Sequence, residues 1–313
     1  MTDYSKLIDA ETWAFIERTN SFYPPETIDF GIERQRAIYD LMCREFHAGY
    51  PDGVTAETGS IDLPDRAIPI RIYRTAAPEA AAMVLYLHGG GYILGGLDSH
   101  DDACAELCAR TGYELVSVDY RLAPEHPHPA AFEDALAAFE WAAAICKRPI
   151  VLAGDSAGGN LAAAVSHATR GHSRMPIGQV LIYPTLGGSG SGRSYVEHAE
   201  APMLTARDLE FYRDIRTGGT PPADIVTLYP LADTDFSGLP PTAIVTAQCD
   251  PLSSDGEIYR DRILAAGGKV WWREEPGLVH SFVRGRHMIA RARDSFSGIV
   301  EAVSALGRRE WPY

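Results

Sequence analysis

Six short, predominantly apolar runs are the feature that most restricts how this 313-residue chain can fold. They are Met83 to Leu87, Leu115 to Val118, Ile150 to Ala153, Val180 to Tyr183, Ala243 to Ala247 and Val270 to Trp272. Such runs are typical of strands buried on both faces, as in a parallel sheet. Segments with a helical pattern lie between several of these runs, at Pro129 to Cys146, Asn160 to Thr169 and Asp255 to Ala266. The alternation predicts an α/β fold with a mostly parallel central sheet flanked by helices.

Two parts of the chain break this alternation, and we expect both to form a helical cap. Residues 1–50 carry two helical stretches, Glu11 to Thr19 and Ile32 to Phe46. Residues 186–239 are predicted to be an insertion with a helix from Ala206 to Arg216, capped by Thr205. The main domain is therefore predicted at 51–313, with the 186–239 segment inserted into it. Four aromatic residues of the first segment are expected either to line a pocket under the cap or to pack on the body; they are Trp13, Phe15, Phe22 and Tyr23.

The charge of the chain argues against several classes of partner. There are 28 Lys and Arg residues against 42 Asp and Glu, a net charge of −14. Such a surface repels phosphate backbones, so no nucleic-acid partner is expected. No apolar stretch approaches the ~18 residues of a membrane span, and the first residues lack a signal-peptide pattern, so we predict a cytoplasmic protein without membrane insertion. The five cysteines lack metal-ligand spacing and are interpreted as reduced thiols, without a metal or cofactor; they are Cys43, Cys104, Cys108, Cys146 and Cys249.

The sharpest chemical motif is Gly154-Asp-Ser-Ala-Gly158, which stands between a predicted strand and a predicted helix. This is the G-x-S-x-G nucleophile elbow in the context it requires. A tight turn there lifts the hydroxyl of Ser156 above the sheet edge, near the positive end of the following helix. The alternative is a glycine-rich connection without chemistry, but the strand–turn–helix context favours a nucleophilic serine.

A second motif, His88-Gly-Gly-Gly-Tyr92, follows the predicted strand Met83 to Leu87. Glycines leave backbone N–H groups free to approach a substrate oxygen, as in an oxyanion hole, and a further donor would come from Ala157, after the serine. The alternatives are a plain turn or a phosphate cradle. The phosphate version is disfavoured because the G-x-x-x-x-G-K-[ST] pattern, with its lysine, is absent.

A serine nucleophile needs a base and an acid that orients the base. In the chain order serine, acid, histidine, the candidates are Asp250, after the run Ala243 to Ala247, and His280, after the turn Pro276-Gly277. Asp255 is the rival acid. His287 is the rival base, disfavoured because we expect it to be helical.

Together these motifs, with Asp119-Tyr-Arg-Leu-Ala-Pro-Glu125, resemble the bacterial hormone-sensitive-lipase family (family IV) of α/β-hydrolase esterases, over about residues 80–285. Asp155 places the chain with the GDSAG branch. The resemblance implies an α/β-hydrolase fold with a helical cap, and hydrolysis of short- to medium-chain carboxylic esters through an acyl-enzyme, without a cofactor. It implies the catalytic residues Ser156, Asp250 and His280, and the oxyanion donors Gly90, Gly91 and Ala157. It also allows a homodimer.

The sequence departs from the family pattern at two places. Ser281 stands where the family usually has glycine, and Gln248-Cys249 replaces a commoner acidic residue before the acid. We interpret the 119–125 segment as a support of the oxyanion loop. The alternative functions are a serine amidase or peptidase, a long-chain lipase, and a non-catalytic receptor with the same fold.

Overall fold

A single sheet organises the part of the chain that this computed structural model describes, residues 2–24, 26–76, 78, 81–188, 192–220 and 224–313. Its eight strands run in the order β1-β2-β4-β3-β5-β6-β7-β8. They are β1 (Val54–Asp62), β2 (Ala67–Thr75), β3 (Met83–Leu87), β4 (Glu114–Val118), β5 (Ile150–Asp155), β6 (Gly178–Ile182), β7 (Thr242–Cys249) and β8 (Val270–Val279). Strand β2 is antiparallel to both β1 and β4, and all other neighbours are parallel. The predicted mostly parallel α/β sheet is confirmed.

Helices cover both faces of the sheet. Within the described ranges they are α1 (Ala10–Asn20), α2 (Ile32–Phe46), α3 (Asp101–Thr111), α4 (Ala130–Ile145), α5 (Ala157–Ala168), α6 (Arg193–Glu197), α7 (Ala206–Thr217), α8 (Ser253–Ala265) and α9 (Ala290–Gly307). Alternate residues of β3 enter two different hydrophobic clusters: Val84 faces α1, α2, α3 and α9, whereas Leu85 faces α4, α5 and α8. Every residue of β3 is therefore buried, which explains why its sequence shows no polar alternation.

Strand β1 is an element that the sequence analysis did not predict. Seven of its nine residues are exposed, so it lacks the apolar alternation by which a strand is recognised. It is held at the sheet edge by pairing with β2 along its whole length.

Strand β8 is longer than the predicted run Val270 to Trp272. It continues through Pro276 and Gly277, which were interpreted as a turn, to Val279. The proline is tolerated because β8 is an edge strand and its pairing with β7 is irregular next to Gln248. The side-chain oxygen of Gln248 accepts from the backbone N–H of Gly277 at 2.8 Å and so bridges the irregular stretch.

The expectation that His287 is helical is wrong. His287 lies in a turn between the 3₁₀ helix Phe282–Gly285 and α9, and its side chain is half exposed. It ends 3.3 Å from the carboxylate of Glu106. Gly285 and Met288 close the turn with a backbone hydrogen bond, which holds His287 away from the strand edge.

The predicted helices are otherwise present with small shifts. Helix α5 begins at Ala157, directly after the elbow serine, instead of at Asn160. Helix α7 has Thr205 as its N-cap, and a reciprocal hydrogen-bond pair between Thr205 and Asp208 completes a capping box. None of the helices in the described ranges is long and apolar enough to cross a membrane.

The two N-terminal helices pack on the main body through Phe15. This side chain is fully buried, and its ring meets Phe46 edge-on with 5.2 Å between centroids. A Cβ atom placed on Gly285 would lie 3.1 Å from the Phe15 ring, so α1 is in close contact with the turn that follows His280.

We expect Phe15→Ala to lower the free energy of unfolding by about 3–5 kcal/mol because it leaves a cavity between α1 and the body. Leu41→Ala, on α2 with 54% of the residue exposed, is the control and should change it by less than about 0.5 kcal/mol. Urea unfolding of the three proteins checks this. Equal, small effects of both substitutions would contradict the packing of the N-terminal helices on the body.

Candidate active site

The elbow serine projects from a turn that only glycines permit. Ser156 has φ 53° and ψ −115°, a strained conformation for a residue with a side chain. A Cβ atom on Gly158 would lie 1.9 Å from the carbonyl oxygen of Leu87, and one on Gly154 would lie 2.5 Å from the Gly158 backbone. The turn therefore brings the start of α5 against the end of β3. The Ser156 N–H donates to Ile182 at 2.8 Å, which secures the turn to β6.

Three predicted residues from distant parts of the chain form one hydrogen-bonded row. The Nε2 atom of His280 lies 2.9 Å from Ser156 Oγ, and its Nδ1 atom lies 2.6 Å from Asp250 Oδ2. The other oxygen of Asp250 accepts from the Leu252 N–H at 2.9 Å. Asp250 is fully buried and His280 is 6% exposed, so little water competes for these bonds. With Nδ1 protonated and held by the carboxylate, Nε2 is left to accept the proton of the serine.

The rival acid is engaged elsewhere. Asp255 is fully buried at the start of α8, where its carboxylate accepts from the backbone N–H groups of Leu186 and Gly188 and from the Tyr195 hydroxyl. Burial raises the pKa of Asp255 to about 6, against the lowering effect of those hydrogen bonds. Asp255 anchors the start of the 186–239 segment, and the structure pairs His280 with Asp250 instead.

The glycine-rich loop presents unpaired amides beside the serine. Gly90 has φ 128° and Gly91 has φ 62°, and a Cβ atom on Gly90 would lie 2.1 Å from the Leu94 carbonyl oxygen. The Gly90 carbonyl accepts from Leu94 at 2.9 Å, which curls the loop. Among the described residues, no backbone carbonyl accepts from the N–H of Gly90 or Gly91. The N–H of Ala157, at the first position of α5, is likewise one that a helix leaves unpaired. Three donors are thus available for a substrate oxygen.

Asp155 joins the serine turn to the glycine-rich loop. One oxygen of its buried carboxylate accepts from the Gly89 N–H and from the Tyr86 hydroxyl, each at 2.9 Å, and the other lies 3.2 Å from His100 Nε2. Burial alone would raise the pKa of Asp155, but His100 and the Tyr86 hydroxyl outweigh it and lower the pKa to about 2. The carboxylate of Asp155 is therefore negatively charged near pH 7 and holds the glycine-rich loop next to Ser156.

The predicted support by the 119–125 segment is visible in its contacts. The Tyr120 hydroxyl donates to the His88 carbonyl at 2.6 Å, and its ring stacks on the His88 imidazole at 4.3 Å. The Ala123 N–H donates to the Tyr92 carbonyl at 2.9 Å. Arg36 of α2 binds both oxygens of Glu125, at 2.9 and 2.7 Å. The segment braces both ends of the oxyanion loop and connects it to α2.

A cavity of about 610 Å³ opens above the row of Ser156, His280 and the glycine loop. Its walls come from α1, α2 and α7 as well as from loops of the main body. Of the four N-terminal aromatic residues, Tyr23 lines the cavity; Phe15 is core, and Trp13 and Phe22 pack against the core. The two segments that we expected to form a cap thus do supply walls of the cavity, and their description as a cap domain stays a prediction.

The two departures from the family pattern have local consequences. Ser281 adopts a left-handed conformation with φ 64°, which suits glycine better and explains the usual residue there. Its side chain lines the cavity next to His280. Gln248 supports the irregular pairing of β7 and β8 through Gly277, as described above.

Two contributors to the site were missed in the sequence analysis. Asp155 served there only to assign the GDSAG branch, although its position next to the nucleophile in a buried strand end was a signal of a structural charge. Arg284 lines the cavity four residues after His280, and nothing in its sequence context distinguishes it from a surface arginine. In the described ranges, no group of three or more His, Cys, Asp or Glu residues could hold a metal ion; the absence of a cofactor stays a prediction.

The charge on Asp155 gives a pH-dependent prediction. Its carboxyl titrates near 3.8 in an unfolded chain and near 2 in the folded protein. It therefore stabilises the fold fully above about pH 4, and this contribution is lost as the pH falls towards 2. We expect Asp155→Asn to lower the free energy of unfolding by roughly 2 kcal/mol at pH 6, with the difference from wild type shrinking between pH 4 and pH 2.

Urea unfolding at graded pH measures this difference. Asp294→Asn, on the exposed face of α9, is the control and should stay within about 0.5 kcal/mol of wild type at every pH. A gap for Asp155→Asn that is constant down to pH 2 would contradict a charged, stabilising carboxylate.

Comparison with known proteins gives the same family as the geometry. The family described as α/β hydrolase fold matches residues 84–284. The chain is 38% identical to the carboxylic ester hydrolase LipN of Mycobacterium tuberculosis, over 89% of this chain and 77% of the relative. It is 35% identical to the ethyl acetate hydrolase of Pseudomonas putida, over 75% of this chain and 78% of the relative.

Solved structures agree with this. The hyperthermophilic esterase from the archaeon Pyrobaculum calidifontis superposes with a TM-score of 0.85 and 30% identity, covering 96% of this chain and 99% of that one. The chain belongs to the α/β-hydrolase fold family, in the branch of carboxylic ester hydrolases similar to hormone-sensitive lipase.

Proposed function

We propose that this protein hydrolyses short- to medium-chain carboxylic esters through an acyl-enzyme formed on Ser156. The observation that carries the proposal is the row Ser156–His280–Asp250, with contacts of 2.9 and 2.6 Å, beside unpaired backbone amides at the floor of a cavity. The membership of this chain in a family of carboxylic ester hydrolases supports ester hydrolysis as the reaction.

In the first half of the reaction, Ser156 Oγ attacks the ester carbonyl while His280 Nε2 takes its proton. Asp250 stabilises the imidazolium that results. The carbonyl oxygen becomes negative and is bound by the N–H groups of Gly90 and Gly91, in the braced loop, and of Ala157, at the start of α5. Each such donor lowers the barrier by about 2.7–4 kcal/mol in comparable enzymes. His280 then gives the proton to the leaving alkoxide, which departs as the alcohol.

In the second half, water replaces the alcohol. His280 Nε2 takes a proton from the water, the hydroxide formed attacks the acyl carbon of the ester on Ser156, and the same amides bind the oxyanion. The proton returns to Ser156 Oγ as the acid leaves. The Tyr183 ring packs against the His280 ring, with 4.8 Å between their centroids, and so supports the orientation set by the two hydrogen bonds of His280.

A small substrate suits the dimensions of the site. A cavity of about 610 Å³ lies within the roughly 300–1,000 Å³ typical of small-molecule sites. It has to accommodate both the acyl and the alcohol parts of the ester, which favours shorter acyl chains over long-chain glycerides. The range from acetyl to octanoyl is the one that the family resemblance implies. A non-catalytic receptor is disfavoured because the complete row of nucleophile, base and acid lies within hydrogen-bonding distance.

Location and assembly are proposed on separate grounds. We propose a cytoplasmic protein because all five cysteines are buried and unbridged, which suits a reducing compartment. The charge of −14 supports the absence of a nucleic-acid partner. A homodimer is supported by β8, whose outer edge has no strand partner among the described residues.

The central test is a panel of 4-nitrophenyl esters of graded acyl length, assayed with wild type, Ser156→Ala and a control. We expect Ser156→Ala to reduce kcat by about 10⁶-fold because the nucleophile is lost. Ser166→Ala is the matched control, since Ser166 lies on the same helix, is buried, and has a hydroxyl without a partner in the described structure. The control should keep wild-type activity, and full hydrolysis by Ser156→Ala would refute the nucleophile assignment.

The same panel separates the competing activities. We expect kcat/KM to be highest at or below octanoyl and to fall for longer chains, without a rise at an oil–water interface. An anilide of the best acid should turn over far more slowly than its ester. Comparable amide turnover would indicate an amidase, and a long-chain optimum with interfacial activation would indicate a lipase.

A further inference from the structure

Arg284 lies on the wall of the catalytic cavity. It belongs to the 3₁₀ helix Phe282–Gly285, which follows His280 directly, and its partly buried side chain lines the same cavity as Ser156 and Ser281. The backbone N–H of Arg284 donates to the Ser281 carbonyl at 3.1 Å, which fixes the start of its side chain next to the catalytic histidine.

The guanidinium of Arg284 has no counter-ion in the described structure. It donates from Nη2 to the Tyr39 hydroxyl at 2.9 Å, interacts with the Cys43 thiol, and lies 5.2 Å from the centre of the Tyr39 ring. None of the described carboxylates comes within 4.0 Å of it. A guanidinium has five N–H donors. Most of those on Arg284 therefore have no acceptor supplied by the described protein.

The groups around Arg284 are neutral near pH 7. Burial raises the pKa of Tyr23 to about 12 and also raises the pKa of the Cys43 thiol, although the Arg284 charge lowers both. The carboxylate of the small neighbouring cavity, Asp102, is already bound to Arg286 at 2.6 Å. Tyr23 and Cys43 therefore carry no charge that could balance Arg284, and the charge of Asp102 is paired with Arg286.

The other charged side chains of the cavity wall are engaged or exposed. Arg216 donates to the Leu228 carbonyl and to Asn160 Oδ1, each at 3.1 Å. Arg213 pairs with Asp214 at 3.1 Å. Two carboxylates stand on α7: Asp208, held in the capping box, and Glu210, which is exposed. Arg216 also has no carboxylate partner among the described residues, but it is buried and its guanidinium stacks on the Tyr92 ring at 3.5 Å. Arg284 is only partly buried and lies next to His280 with unused donors.

We propose that Arg284 binds a carboxylate of the substrate, so that the preferred esters carry a free carboxylate on their acyl or alcohol part. This inference rests on the proposed esterase function. A partly buried charge without a partner is costly, and a carboxylate can accept two parallel hydrogen bonds from one guanidinium. The overall charge of −14 does not oppose this, because charges more than about 8 Å away are largely screened at physiological ionic strength.

Two matched pairs of esters test the proposal, one for each part of the substrate. In the acyl arm, the mono-4-nitrophenyl ester of adipic acid is compared with the 4-nitrophenyl ester of adipic acid monoamide. In the alcohol arm, 4-acetoxybenzoate is compared with 4-acetoxybenzamide. Within each pair the shape is kept and the charge is removed, so the ratio of the two kcat/KM values measures recognition of the carboxylate.

We expect wild type to prefer the carboxylate of at least one pair by about tenfold or more, the range of a charge-assisted hydrogen bond. Arg284→Gln should bring that ratio to about one, and Arg284→Lys should keep part of it because the charge remains. Since each ratio is taken within one protein, partial misfolding of a variant cancels. Arg213→Gln, which removes a paired guanidinium of the same wall, is the control and should keep the wild-type ratio.

A wild-type ratio of one or less in both arms would overturn the proposal, whatever the variants do. A preference that survives Arg284→Gln, or that disappears in Arg213→Gln, would overturn it as well. These outcomes are separate from a failure of the esterase function, which would appear as absent hydrolysis of the neutral member of every pair.

Discussion

The turn after β5 approaches the end of β3 so closely that no side chain fits between them, and the active site depends on this contact. A Cβ atom on Gly158 would overlap the Leu87 carbonyl oxygen, at 1.9 Å. Because Leu87 is followed at once by the glycine-rich loop, the same close approach of β5 and β3 also brings the proposed oxyanion donors near Ser156. Gly154 and Gly158 are therefore required by the close approach of β5 and α5 to the end of β3, as well as by the turn at Ser156.

Three buried aspartates at this edge of the sheet have different tasks. Asp155 bonds to the backbone of the glycine-rich loop at Gly89, Asp250 bonds to His280, and Asp255 bonds to the backbone that begins the 186–239 segment. In each case a carboxylate satisfies N–H groups that would otherwise be buried without partners. The site is thus held by charge-assisted bonds inside the protein, while Arg284, which has no carboxylate partner among the described residues, lines the cavity.

The sequence predicted the sheet and the row Ser156–His280–Asp250 because both depend on local patterns. Fully apolar runs mark strands buried on two faces, and the elbow lies between one of these runs and a helix. The chain order of serine, acid and histidine gave Asp250 and His280 as candidates, with Asp255 and His287 as rivals, and the family resemblance favoured Asp250 and His280. The extent of β8 was not predictable in this way, because Pro276 and Gly277 are typical of a turn and are accommodated only by an edge strand with irregular pairing. Strand β1 can be recognised only from its pairing with β2. That Arg284 has no counter-ion among the described residues can be seen only once distant segments are packed around it.

In the proposed mechanism, His280 activates Ser156 for attack. Diethyl 4-nitrophenyl phosphate measures this directly, since it transfers one diethylphosphoryl group to an activated serine and releases 4-nitrophenol. We expect mass spectrometry to find one such group per chain, on Ser156, and we expect His280→Gln to slow the reaction by about 10²-fold or more, the contribution of a general base. Labelling of a different residue, or labelling of Ser156 at the same rate without His280, would contradict the account.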